Sequence, residues 1–147
     1  MDLDGVLITT PIWKADEMDS DGYSKFNKDC VANLNSLLSK YDFDIWLSST
    51  RRTVKTLAEF NKIFKNRNIE SEIKGFLPEF PECKTRKDEI IRFIEEFEIS
   101  DFLIIDDDKS LNGIDENHKE KLILTELQKG FDSVKLEVAI EKIKERG

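Results

Sequence analysis

Cysteine is nearly missing from this chain. Cys30 and Cys83 are the only two, too few and too far apart for a disulfide framework or a thiolate metal cluster, so both read as reduced structural residues. Histidine is scarcer still. The single His118 lies in the polar stretch DENHKEK and reads as exposed, which sets aside histidine-based nucleophilic catalysis. No apolar run approaches the roughly 18 residues that a membrane span needs. The first residues also lack the basic-then-apolar order of a signal peptide, so a cytoplasmic location without membrane contact is the expectation. Positive charge is in deficit, with 23 Lys and Arg against 31 Asp and Glu and a net charge of -8. That balance argues against broad adhesion to nucleic acid. It leaves room for local basic sites at Arg51, Arg52 and Lys55, and at Lys84, Arg86 and Lys87.

What is present is a globular pattern. Hydrophobic residues make up 39% and charged residues 37% of 147 positions, with apolar clusters recurring throughout and no repeat, low-complexity tract or linker. A chain of this length forms one domain, here taken as 1–147, and buries about two-thirds of its unfolded surface.

Periodicity assigns the elements. Phe26, Val31, Leu34, Leu37 and Leu38 fall at helical spacing over 24–41, and Val54, Leu57, Phe60, Ile63 and Phe64 do so over 53–66. A third helix covers 85–97, and a fourth starts at the N-cap pair Asp132 and Ser133. Between them, FDIWL (43–47), the alternating Ile69 to Ile73, DFLIIDDD and KLILTE read as strands, while Pro78 and Pro81 force an irregular loop. Strands alternating with helices predict an α/β domain with a mainly parallel, doubly wound sheet covered on both faces. In such sheets ligands sit beyond the carboxyl ends of the strands, so the polar residues just after each apolar run carry the function.

Those residues are Asp2 and Asp4, then Ser48, Ser49, Thr50 and Arg51, then Asp106, Asp107 and Asp108; Lys84, Arg86 and Lys87 open the helix between. Gathered at one sheet edge they form a phosphoryl-transfer kit. Clustered carboxylates repel one another unless a cation neutralises them, and an all-oxygen set suits Mg²⁺. One carboxylate can attack phosphorus, and a second can protonate the leaving oxygen and then activate water. A hydroxyl and a basic group bind the non-bridging oxygens. The competing readings are a turn or calcium loop at D-x-D-G, a capping turn at Ser48 to Arg51, and a cap or solvated neighbour at Asp108.

The order D-x-D-G-V-L, a strand ending in Ser, a basic residue at a helix start and a strand ending in D-D resembles the haloacid dehalogenase (HAD) superfamily of phosphatases. The stretches TRKDEIIRFI, FLIIDDD and LILTELQKGFDSVKLEVAI are similar to a subgroup of small HAD domains found alone and in multidomain RNA-repair proteins. The resemblance implies Asp2 as nucleophile and Asp4 as general acid/base, the latter also offering the metal a backbone carbonyl. It implies Ser48, with Ser49 as fallback, as the phosphate-binding hydroxyl, Arg86 or Lys84 as the basic group, and Asp106 and Asp107 as completing a Mg²⁺ site.

Neither gap between these motifs holds room for a cap domain, and capless members often take macromolecular substrates or are closed by assembly. The expected activity is Mg²⁺-dependent hydrolysis of a phosphomonoester through an aspartyl-phosphate. The expected substrates extend to nucleotides and phosphorylated nucleic-acid ends, with Arg51, Arg52 and Lys55 at the rim for further phosphates. Trp13, in the loop after the first motif, is a candidate for the substrate mouth, and Trp46 for packing. A receiver domain is set aside because there the acidic pair leads and the acceptor Asp follows. The alternatives that stay open are a catalytically inactive module of the same fold and a small-metabolite phosphatase.

One feature conflicts with this fold. The strand that should carry Asp2 is reduced to Met1, which predicts a truncated first strand, an exposed slot and a functional protein with several apolar residues before Met1.

Overall fold

Asn27 accepts the amides of Asp29 and Cys30 and thereby starts α1 (Lys28–Lys40) in the computed structural model, which describes residues 1–146. Sequence periodicity places this start at Ser24. The structure moves it because Asn27 is a strong cap, while the Ser24 hydroxyl donates to Asp16 instead. β1 (Ile45–Leu47) follows, shorter than the 43–47 expected, and leads into a 3-10 turn at Thr50–Thr53 capped by Ser49. A reciprocal box between Thr56 and Glu59 then starts α2 (Leu57–Asn66). β2 (Ile73–Phe76) begins where the weak strand was expected to end. Thr85 caps α3 (Arg86–Glu96), and β3 (Ile104–Asp106) ends at the triple acid.

Asp108 caps a second 3-10 turn at Lys109–Gly113, and Asp115 caps the short α4 (Glu116–Lys119). Periodicity signals neither element. β4 (Leu122–Leu124) and α5 (Ser133–Arg146) complete the fold, with Asp132 accepting the amide of Lys135.

The strands form two parallel pairs, β1 with β2 and β3 with β4. This is the expected α/β alternation, built from strands of three or four residues. Backbone bonds from the first two residues link the pairs. Met1 N donates to Trp46 O at 2.8 Å, Ser48 N to Met1 O at 2.9 Å, and Asp2 N to Ile105 O at 3.0 Å. Met1 thus takes the strand position just ahead of Asp2, between β1 and β3.

Two apolar clusters hold the elements. One gathers Leu3, Leu7, Leu34, Leu37, Phe60, Phe64, Ile105 and Phe131; the other gathers Leu77, Ile90, Phe93, Ile104, Leu111 and Ile114. A fully buried Leu or Phe contributes about 1.5–3 kcal/mol. α1 packs on α5, and α3 packs on the second 3-10 turn. Arg67 ties the polar loop down, with its guanidinium on Asp21 at 2.6 and 3.0 Å and on the carbonyls of Tyr23 and Ser24. That grip holds the Asp21 carboxyl well below the usual range, with Asn66 and the Tyr23 amide assisting against a smaller effect of burial. Among the described residues no helix is long and apolar enough to cross a membrane.

Candidate active site

Asp2 and Asp106 are buried and Asp107 is half-buried, and each offers a carboxylate oxygen within 4.8 Å of the other two. The sequence produces this because the acids directly follow apolar residues anchored in adjacent strand positions. Buried Leu3 and Ile105 fix the backbone, and the acids emerge together at the carboxyl edge.

Gly5 is required by the approach of Asp107. Its φ is +77°, and a Cβ there would meet the Asp107 carboxylate. The Thr125 hydroxyl donates to the Gly5 carbonyl from the end of β4 and fixes the same turn. Sequence reasoning missed Thr125, although it obeys the rule that found the acids, a polar residue just after an apolar strand.

Arg86 faces this trio from the first turn of α3, with Nη1 at 2.7 Å from Asp106 and 3.5 Å from Asp2. Its side chain is 9% exposed. Lys84, the equal candidate by sequence, is exposed before the helix, and Lys87 turns its amide to Ser110 and lies near Gly113. Ser48 and Ser49 are both buried at the end of β1. The Ser49 side chain caps the 3-10 turn by accepting the Arg51 amide at 3.2 Å, whereas no such capping bond engages the Ser48 hydroxyl.

One guanidinium does not balance three carboxylates. Burial, reinforced by the neighbouring Asp106, pushes the Asp2 carboxyl up to about 7 against the pull of Arg86. Burial and the charge of Asp2 push Asp107 up to about 6. The donor set is all oxygen, anionic and under-compensated, which fits a hard divalent cation such as Mg²⁺.

The Asp4 carboxylate stands outside this trio. Both its oxygens accept from Arg51, at 2.8 and 2.9 Å, and Arg51 also reaches Asp16, Tyr23 and Ser24. Arg51 is therefore not a free rim residue. Arg52 is removed from the rim altogether: it is buried, bonded to the carbonyls of Leu77, Ser48 and Ser49 and to Glu89 at 2.8 Å. Lys55 remains near the surface, 3.9 Å from Glu59. Trp13 is 79% exposed, and Trp46, read as packing, leans on Phe93 yet keeps 40% of its surface open. His118, read as exposed, stacks on Phe102 and bonds its cap Asp115.

Short parallel strands with helices, carrying an acidic, metal-competent cluster at their carboxyl ends, define an α/β protein with the site where that architecture places ligands. A family model described as the HAD domain in Swiss Army Knife RNA repair proteins matches residues 1–136, and the chain belongs to that family. No curated protein and no solved structure matches it.

Proposed function

We propose that this chain is a Mg²⁺-dependent phosphatase that hydrolyses phosphomonoesters, with phosphorylated nucleic-acid ends as its substrate class. The observation that carries the reading is the convergence of Asp2, Asp106 and Asp107 within 4.8 Å, faced by Arg86. The RNA-repair context of the matched family favours a polynucleotide end over a free metabolite.

Asp2, Asp106 and Asp107, with the Asp4 carbonyl, would hold the cation, which when bound neutralises the carboxylates and the phosphoryl oxygens. Asp2 attacks phosphorus through one carboxylate oxygen, and the ester oxygen leaves with a proton from Asp4, giving an aspartyl-phosphate. Asp4, now a carboxylate, takes a proton from water as that water attacks phosphorus. Inorganic phosphate departs and Asp2 is restored. Ser48 and Arg86 bind the non-bridging oxygens, whose charge must be stabilised in transfer. For this cycle Asp4 must leave Arg51, since both its oxygens are engaged there and neither is free to face the leaving group.

That grip also favours a second reading, an inactive module that binds phosphate without turnover. Release of phosphate from 3'- and 5'-phosphorylated oligonucleotides and from sugar phosphates, with Mg²⁺ and then with chelator, separates the readings. Chelator-sensitive turnover of the oligonucleotides, lost in Asp2→Asn, is the expected result. Preference for the sugars would replace the substrate class, and silence on every substrate would favour the inactive module.

A further inference from the structure

The polar segment after the first motif folds back on the catalytic edge and leaves two large apolar side chains in water. The Lys14 amide donates to the Pro11 carbonyl at 3.0 Å, which closes a turn with Ile12 and Trp13 at its tip. Ile12 is 89% exposed and Trp13 is 79% exposed. An indole can bury more apolar surface than almost any other side chain, so holding Trp13 in water forgoes stability that packing would supply.

The foot of this turn is tied to the site. The Thr10 and Ser24 hydroxyls donate to the Asp16 carboxylate, and Arg51 Nη2 joins Asp16, at 2.9 Å, to Asp4, at 2.9 Å. Trp13 lies three residues from Asp16, so chain geometry keeps its Cα within about 10 Å of the Asp16 Cα. The acids of the segment are neutralised within the fold. Asp16 pairs with Arg51, Glu17 with Lys25, and both Asp19 and Asp21 with Arg67. Lys14, next to Trp13, is exposed. The tip is therefore apolar and cationic on a chain whose net charge is -8.

The proposed phosphatase reaction, on which this inference rests, gives the tip a direction. Asp4 protonates the ester oxygen that leaves, so the leaving nucleoside stands on the Asp4 side of the phosphorus. Arg51 and Asp16 connect that side to the turn. We propose that Trp13 is a base-stacking platform, whose indole receives the unpaired nucleobase of the leaving nucleotide while Lys14 serves the next phosphate along the strand. Every base has a π-face, so such a platform favours polynucleotide ends without reading their sequence. A sugar phosphate has no aromatic ring to offer it. Two exposed side chains are also far less area than a stable protein–protein interface needs.

The test reads Trp13 fluorescence in a protein carrying Trp46→Phe and Asp2→Asn, where Trp13 is the one remaining tryptophan and no phosphate is released. Two probes carry the same terminal phosphate, at the 3' or the 5' end: a short oligo(dT), and a strand of equal length that is abasic throughout. Quenching by oligo(dT) and not by the abasic strand is expected. Anisotropy of dye-labelled strands then compares variants at this exposed position. Trp13→Ala should weaken oligo(dT) binding by about 10-fold or more and leave the abasic strand unchanged, and Trp13→Tyr should keep most of the affinity. Equal quenching by the two strands, silence toward both, or equal affinities of Trp13→Ala and its parent overturn the proposal. So does an emission shift on vesicles of phosphatidylserine and phosphatidylcholine without a response to oligo(dT), which would give the tip to a lipid surface. None of these readouts involves turnover. Base stacking in a chain whose unmodified form hydrolyses no phosphate ester would sink the phosphatase reading and leave the platform standing.

Discussion

Arg51 lies on Asp4 with two parallel bonds, Nε to Oδ2 at 2.8 Å and Nη2 to Oδ1 at 2.9 Å, and its Nη2 bridges on to Asp16 at 2.9 Å. Bidentate charge-assisted pairs are the strong kind. Asp4 nevertheless keeps 41% of its side chain exposed, which places the pair nearer to a surface interaction than to a buried one. A double-mutant cycle of Arg51→Ala and Asp4→Asn, read by urea unfolding, is expected to give a coupling of about 1 kcal/mol. Additivity within about 0.3 kcal/mol would mean that the contact does not hold Asp4 in place.

The carboxylate trio should shape stability against pH. Asp2 is raised to about 7 from an ordinary 3.8, so between these values the folded state holds a proton that the unfolded chain has lost. Stability at this site therefore falls as pH rises from about 4 to about 7, and Asp107, raised to about 6, adds to the same slope. Urea midpoints should fall between about pH 4 and pH 7. Asp2→Asn should flatten the acid-side fall, and parallel curves for the two proteins would remove Asp2 as its origin.

Arg51 and Arg52 show where the sequence stops being legible. Both follow the same strand and read as one basic pair at the rim, yet Arg51 faces the Asp4 loop and Arg52 enters the core. They sit in a 3-10 turn of three residues per turn, which sends adjacent side chains about 120° apart, and periodicity does not announce that turn. The same lack of local signal hid Lys109–Gly113 and α4, whose apolar content near the turn is Leu111 and Ile114 alone. The acids were legible because each follows an apolar strand segment directly. Choosing Arg86 over Lys84 as the residue facing them needed the helix start, which the Thr85 cap sets.

Burial of Arg52 has a measurable consequence. Its side chain is 6% exposed, its Nη1 and Nε bind three backbone carbonyls, and its Nη2 binds Glu89. Arg52→Met should destabilise the fold by about 3–5 kcal/mol, because Glu89 and three carbonyls lose their partner together. Arg51→Ala should cost much less. Chemical denaturation of the two variants decides it, and equal losses would return Arg52 to the surface role that its sequence position suggests.

Relief of the carboxylate repulsion gives the most direct test of the metal assignment. Three carboxylates share one guanidinium, and burial together with their mutual repulsion raises Asp2 to about 7 and Asp107 to about 6. A divalent cation binding this trio must displace the protons that these groups hold, so affinity should rise with pH up to about 7 and level off above it. At a Mg²⁺ concentration of about 100 times the dissociation constant the folded state should gain about 2.7 kcal/mol. Asp107→Asn should remove most of that gain, whereas Asp108→Asn, which keeps the 3-10 cap acceptor and removes only a charge outside the trio, should retain most of it. The readout is the unfolding midpoint across a Mg²⁺ titration, reversed with chelator, and it needs no substrate. A midpoint indifferent to Mg²⁺ at pH 8 would show that Arg86 alone compensates the trio and that the cluster is not a cation site.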